Sequence, residues 1–302
     1  MLKFGRGICY SGYRENQSPV TKVYPDYNEI YEDLKILEGQ FEYLRMYDPY
    51  DHAQKVLKVI RDNHLNFKVM LGVEPRGEIS NPNCPWGGLH SDEEIELNKV
   101  NNFRQLDLLA KLANEYQDII FAVAVGNENT SEWHHNLMPA KKIAEHVKYI
   151  KKLVKVPVTF CEGAFAWNKH CQPVAEVVDI ISIHSYPLWI KIKLEDAVKA
   201  TIKDYNDTIR KYPNKQVIFT EFGWATSSTG QMNPEDTNEE AQAKYLSQID
   251  KWANDHKVTM FLFEAFDEPW KGSNNPLEPE KHWGVYNIDR TPKLYYRQKG
   301  SK

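Results

Sequence analysis

The stretch "FAVAVGNENT", residues 121–130, is apolar at first and turns polar at Asn127 and Glu128. A second apolar run, "KQVIFTEFGW" (residues 215–224), delivers Glu221 in the same way. A carboxyl group at the end of a strand is held more rigidly than one on a loop. Two such groups, if the fold brings them together, suit proton transfer combined with nucleophilic attack. One must keep its proton to assist a leaving group, while the other stays ionised to attack or to activate water.

What must position them is legible as a repeating pattern. Strands buried on both faces read as continuous apolar runs. The sequence predicts them over Phe4–Tyr10, Phe41–Tyr47, Phe67–Val73, Ile119–Val125, Val156–Cys161, Val178–His184, Gln216–Thr220 and Val258–Phe263. Between them lie segments such as "DHAQKVLKVIRDNH", "KVNNFRQLDLLAKLANEY" and "NEEAQAKYLSQIDKWANDH". Their apolar residues recur at i, i+3, i+4 and i+7, the spacing of one buried helix face. Strand then helix, eight times over, predicts a single (β/α)8 barrel spanning residues 1–302. A doubly wound open sheet alternates in the same way, but "GICYSGYREN" lacks the GxGxxG turn after the first strand. In a closed barrel the fourth and seventh strands face each other across the mouth, so Glu128 and Glu221 should meet. Two connections, Glu74–Glu94 and Ala265–Arg290, are longer than usual and leave the carboxyl ends of strands, where they would wall a cleft.

Composition narrows the partners. With 41% hydrophobic and 26% charged residues the chain can bury a full core. A formal net charge of −4 with no basic run makes nucleic acid or an anionic membrane a poor partner. No apolar stretch approaches the roughly 18 residues needed to span a bilayer, and "MLKFGRGICY" is too polar for a signal peptide. The four cysteines are neither paired in CxxC units nor densely spaced, and read as isolated small apolar residues.

Seven of the eight tryptophans (all but Trp252) follow predicted strands, at one end of the barrel. Indole faces stack on the C–H faces of sugar rings, while neighbouring polar groups bind the hydroxyls, so a carbohydrate cleft is expected. The strand ends also collect Asp48, Glu74, Glu162, Glu264 and Glu268. Of these, Asp48, Glu162 and Glu264 read as salt bridges or caps. Two facing carboxyl groups in an aromatic cleft match the requirements of glycoside hydrolysis. The adjacent histidines at 134–135 are not spaced as ligands and there is no HExxH, so no metal and no cofactor are expected.

"VGNE" and "TEFGW" together resemble the clan A glycoside hydrolases, retaining enzymes on (β/α)8 barrels. "RMYD" (Arg45, Tyr47), "HSYP" (Tyr186) and "FEAFDEPWKG…EKHWGVYN" are similar to glycoside hydrolase family 17, the endo-β-1,3-glucanases, and "YSGYRENQSP" is similar to its bacterial members. The resemblance covers nearly the whole chain. It implies Glu128 as general acid/base, Glu221 as nucleophile and Asn127 as holder of the sugar 2-hydroxyl. Tyr47, Arg45 and Tyr186 would border the nucleophile and the sugar. Glu268, Lys271 and Glu280 match a charged group beside the catalytic pair.

Trp86, Trp133, Trp167 and Trp270 are expected as stacking platforms, with Trp224 also lining the substrate. The sequence departs from plant members at His184, where Asn is commoner, and in the loop holding Cys84 and Trp86. The implied function is endo-hydrolysis of β-1,3-glucan (laminarin). A β-1,3-glucanosyltransferase on the same residues is the alternative, and a silent β-glucan-binding barrel the third reading. A monomer is expected, working outside the cytoplasm (extracellular, periplasmic or attached to an outer membrane) with any leader removed.

Overall fold

Strands and helices alternate along the chain, and the computed structural model, which describes residues 2–299, closes the strands into a ring. The first half runs β1 (Arg6–Cys9), α1 (Tyr27–Leu37), β2 (Tyr43–Met46), α2 (Asp51–Asp62), β3 (Lys68–Gly72), α3 (Asp92–Glu115), β4 (Ile120–Asn127) and α4 (Ala140–Ile150). The second runs β5 (Val158–Gly163), α5 (Ala164–Lys169), α6 (Gln172–Ala175), β6 (Ile180–Ser185), α7 (Leu194–Lys211), β7 (Gln216–Phe222), α8 (Glu239–His256), β8 (Met260–Leu262) and α9 (Leu294–Lys299). All neighbouring strands pair in parallel, and β8 returns to β1. This is the (β/α)8 barrel that the eightfold alternation predicts. Among the described residues no helix is long and apolar enough to cross a membrane.

The helices begin where the side chains can satisfy their free N–H groups. Asp26 and Glu29 form a reciprocal capping box at the start of α1, and Ser91 and Glu94 form another at α3. The second box corrects an expectation. The long loop after β3 does not run on to Glu94, because Ser91 starts the helix and α3 extends over 24 residues. The S-x-x-E spacing is a start signal in the sequence itself.

Apolar burial falls into two shells. Inside the barrel lie Cys9, Tyr43, Met70, Ala122, Ala124, Cys161, Ile180, Ile218 and Phe261. A larger shell, including Leu44, Val123, Val125, Phe219 and Phe222, packs between strands and helices. All four cysteines are buried and free, two of them inside the barrel, as expected of small apolar residues.

Strict alternation of inner and outer side chains does not carry through to the strand ends. Between β4 and β5, Ala124 pairs with Thr159 but Asn127 with Cys161, so β4 carries one extra residue. Between β6 and β7, Ile183 pairs with Phe219 and His184 with Glu221, so Thr220 is extra. A one-residue bulge turns the following side chains to the other face. Asn127 and Glu221 therefore point inward, where unbroken alternation from Ala124 and Ile218 would aim them outward. Both strands also outlast their predicted ends, because β5 and β6 keep pairing with them there.

Gly223, next after β7, fixes how closely the segment after β8 can approach. A Cβ there would stand 2.2 Å from the Phe263 carbonyl oxygen, a backbone atom that cannot rotate away. Gly223→Ala should therefore lower unfolding stability by about 1–3 kcal/mol, the range for overpacking. Urea unfolding followed by far-UV circular dichroism checks this, and an unchanged midpoint would contradict the close approach.

Candidate active site

Two glutamates that are far apart in sequence come together at the carboxyl ends of β4 and β7. An oxygen of Glu128, an oxygen of Glu221 and a ring nitrogen of His184 all lie within 4.8 Å of one another. Like charges that close cannot coexist without compensation, and the residues around them provide it unequally.

Glu221 is buried and surrounded by donors. Its Oε1 accepts from the Arg45 guanidinium and from the Tyr47 hydroxyl at 2.9 Å. Its Oε2 accepts from the Tyr186 hydroxyl at 2.7 Å. Burial alone would raise this carboxyl. The His184 and Arg45 charges, with the hydrogen bonds from Tyr186 and Arg45, outweigh it and hold Glu221 well below the usual carboxylate range. Burial, reinforced by the Glu221 charge, pushes the Tyr186 hydroxyl well above its ordinary value, so it remains a donor.

Arg45 also orients Asn127. Its second terminal nitrogen donates to Asn127 Oδ1 at 2.5 Å. Because guanidinium only donates, the facing atom must be the amide oxygen, and the amide NH2 is left to offer a sugar hydroxyl. The backbone N–H of Asn127 donates to Asn129 Oδ1 at 2.8 Å. Gly126 leaves room for this, since a Cβ there would stand 2.6 Å from that oxygen.

Glu128 is more open than its partner, and its backbone is unusual: φ is +56°, in the left-handed region. That conformation costs a non-glycine residue about 1–2 kcal/mol. Its Oε1 accepts from His184 Nδ1 at 2.8 Å, and the same nitrogen lies 3.5 Å from Glu221 Oε2. Burial opposes a charge on His184. The Glu221 charge, contact with Cys161 and the Glu128 hydrogen bond overcome this and push the ring up to about 10. The proton on Nδ1 thus bridges the two acids. The same three side chains could close on a small cation, but the imidazole would have to lose that proton to coordinate it.

A second charged group lies alongside. Lys271 Nζ sits 2.7 Å from Glu264 Oε2 and 2.7 Å from Glu268 Oε2. Two acids share one cation here, so burial and the Glu268 charge raise Glu264 far above its ordinary value. Glu280 is raised by burial and by the Glu221 and Glu128 charges, against Lys271. At the next strand end Glu162 is fully buried. Burial first, then the Glu128 charge, push it up to about 7, while hydrogen bonds from Thr130, Gly163 and Ser131 pull it down.

The sequence model of the BtgE/BtgC glycoside hydrolase domain matches residues 7–284. The chain belongs to that family. A glucan 1,3-β-glucosidase of Arthroderma benhamiae is 24% identical over 89% of this chain and 84% of its own length. A probable glucan endo-1,3-β-glucosidase, btgC, of Aspergillus fumigatus is 24% identical over 95% of this chain, which spans only 42% of that longer protein. Among solved structures, an endo-laminarinase from Formosa Hel1_33_131 superposes with a TM-score of 0.83 at 25% identity, over 97% of this chain and 86% of that one. The chain is a glycoside hydrolase, as the motifs imply.

Of the residues singled out in the sequence, Arg45, Tyr47, Asn127, Glu128, Tyr186 and Glu221 form one hydrogen-bonded network, completed by His184. Glu268 and Lys271 form the second group. The tryptophans divide differently from the expectation. Trp86 and Trp133 are 63% and 44% exposed, with ring centroids 6.1 Å apart. Trp270 is half-buried, edge-on to Tyr13.

Trp167 and Trp224 are fully buried and cannot be stacking platforms. Trp167 packs in α5 and donates to the Ser182 carbonyl, and Trp224 donates to the Asp236 carbonyl. Their position after strands reflects loops that need large rings to pack them down. His184 entered the sequence reading only as a departure from plant relatives. The available signal is its place at the end of the predicted sixth strand, two residues before Tyr186.

Replacing His184 by Asn removes a positive charge beside a carboxylate, so the ionised form of Glu221 is less favoured and its pKa rises. The acid limb of kcat/KM should move to higher pH, and kcat/KM at the optimum should fall about 10- to 100-fold, the effect of one charge-assisted hydrogen bond. An acid limb that stays in place would show that His184 does not hold Glu221 ionised.

Proposed function

We propose that this chain is a retaining endo-hydrolase of β-1,3-glucan, with Glu221 as nucleophile and Glu128 as general acid/base. The observation that carries the reading is the pair of strand-end carboxyl groups held close together in opposite environments. One is enclosed by donors and kept ionised; the other lies in the open part of the site with a single donor. Retaining glycosidases set their carboxyl groups about 5–5.5 Å apart, whereas inverting enzymes need room for an intervening water. The β-1,3-glucan substrate is supported by the relatives and the solved neighbour named for that polymer, and the internal mode of attack by those named endo-acting.

The steps follow from the geometry. A Glu221 oxygen attacks the anomeric carbon as the bond to the leaving oxygen breaks, and Glu128 gives that oxygen its proton. A water then attacks the glycosyl–enzyme ester from the opposite face and passes its proton to Glu128, which frees Glu221 as a carboxylate. The Asn127 amide is placed to hold a sugar hydroxyl whose hydrogen bond strengthens as positive charge develops. Arg45, Tyr47 and Tyr186 hold the nucleophile in aim and take up its charge when it leaves the sugar. A polymer substrate also favours work outside the cytoplasm.

The roles separate with azide. Glu221→Ala leaves space below the sugar, and azide entering there should convert an activated β-glycosyl fluoride to the α-azide. Glu128→Ala retains the nucleophile, so an activated aryl β-glycoside should yield the β-azide. Proton nuclear magnetic resonance of the products reads both anomers, and swapped anomers would exchange the assignments. With the unaltered enzyme, laminarin chain length should drop early and short oligosaccharides accumulate. Glucose released alone from chain ends would overturn the endo reading.

The exposed Trp86–Trp133 pair, on the connections after β3 and β4, is available to stack on a sugar beyond the two glutamates. Trp133 follows Glu128 by five residues, so their Cα atoms are at most about 18 Å apart, within the reach of a chain of several sugar rings. Trp86→Ala with Trp133→Ala should raise KM for laminarin about fivefold or more, since stacking contributes roughly 1 kcal/mol per contact. Cleavage of a laminaritetraose too short to reach the pair should be unchanged; equal loss on both substrates would place the pair elsewhere.

A further inference from the structure

Glu162 is a strand-end acid whose surroundings the reaction leaves unexplained. It precedes Gly163 at the end of β5, is fully buried, and each of its oxygens accepts two hydrogen bonds. Oε2 accepts from the backbone N–H of Thr130 at 3.0 Å and from its hydroxyl at 2.6 Å. Oε1 accepts from the Ser131 hydroxyl at 2.9 Å and from the Gly163 N–H at 2.7 Å. Burying a carboxylate is costly even when it is fully hydrogen-bonded, and an apolar side chain of the same size would pack there at less cost.

Three of those four donors belong to the two residues after Asn129, within the turn that begins at Glu128. The Ser131 N–H closes that turn on the Glu128 carbonyl at 3.1 Å, and the Glu128 N–H is tied to the Cys161 carbonyl at 2.8 Å, next to Glu162 in β5. Glu128 is held with φ at +56° inside this frame. A left-handed glutamate persists only where the surroundings over-determine it. Without the clamp from β5, the turn can relax to an unstrained backbone and swing the Glu128 carboxyl away from His184.

We infer that Glu162 is a positioning residue which, through Thr130 and Ser131, locks the turn after β4 and so aims the Glu128 carboxyl at the leaving oxygen. This rests on Glu128 being the general acid/base. Losing the clamp should therefore impair proton donation specifically, and spare glycosylation by substrates whose leaving group needs no proton.

The test compares kcat/KM on laminaritetraose with kcat/KM on 2,4-dinitrophenyl β-laminaribioside, for the whole chain carrying Glu162→Gln. Glutamine keeps the volume but presents an NH2 to donors. General-acid assistance contributes about 10²–10⁴-fold, so partial misplacement should lower the oligosaccharide value roughly 10- to 100-fold. The activated glycoside should stay within about threefold. Thr130→Val and Ser131→Ala each remove one hydroxyl donor and should show the same bias at several-fold, with Thr130→Ser restoring the unaltered ratio. These carry the test if Glu162→Gln does not fold.

Glu128→Gln serves as the reference. If it shows no bias between the substrates, the acid/base assignment falls. If it does, while the Glu162, Thr130 and Ser131 variants lose both activities equally or neither, Glu162 is structural only and the inference is overturned.

Discussion

Two carboxylates held close together set the terms for the rest of this site. Left to themselves they would share a proton and neither would have a defined role. Arg45 from β2 and His184 from β6 resolve this by position. Arg45 touches Glu221 and Asn127, whereas the His184 proton lies between both acids. Glu221 thereby receives two cationic neighbours and two tyrosine hydroxyls, and Glu128 receives one donor. The difference in environment between two identical side chains is a difference in how many donors the barrel directs at each.

That arrangement needs side chains from four strand ends to converge within a few ångströms, which a closed barrel does by construction. Arg45 and Tyr47 come from β2 and just beyond, Asn127 and Glu128 from the end of β4 and just beyond, His184 and Tyr186 from the end of β6 and just beyond, and Glu221 from β7. The Lys271, Glu264 and Glu268 group after β8 adds a neighbouring field that is internally paired. Its effect is felt at Glu280, which also senses the charges of Glu221 and Glu128.

The loops divide the aromatic residues between support and surface. Trp283 is buried edge-on against Tyr186 and Phe263, and so packs the ring that donates to Glu221. Trp167 and Trp224 secure segments behind the strands. Trp86 and Trp133, on the connections after β3 and β4, present their faces outward. The same residue type at the same end of the barrel thus serves rigidity beneath the site and contact above it.

The sequence by itself determined the barrel, because apolar runs alternating with amphipathic helices are a local pattern that one closed architecture satisfies eight times. It also determined the identity of the two acids, since each ends an apolar run where polarity has no local reason to appear. It marked the start of α3 as well, in the Ser91 and Glu94 spacing. Only the tertiary structure decided which way those acids face. The extra residue in β4 and in β7 is a matter of register against a neighbouring strand, and a single chain segment carries no record of its partner's register. Burial decided the tryptophans likewise: Trp167 and Trp133 read alike after a strand, but one is buried with its indole N–H on the Ser182 carbonyl of β6 and the other is 44% exposed beside Trp86. The part of His184 was hidden for the same reason, since a charge that lies between two acids is a property of three strands together.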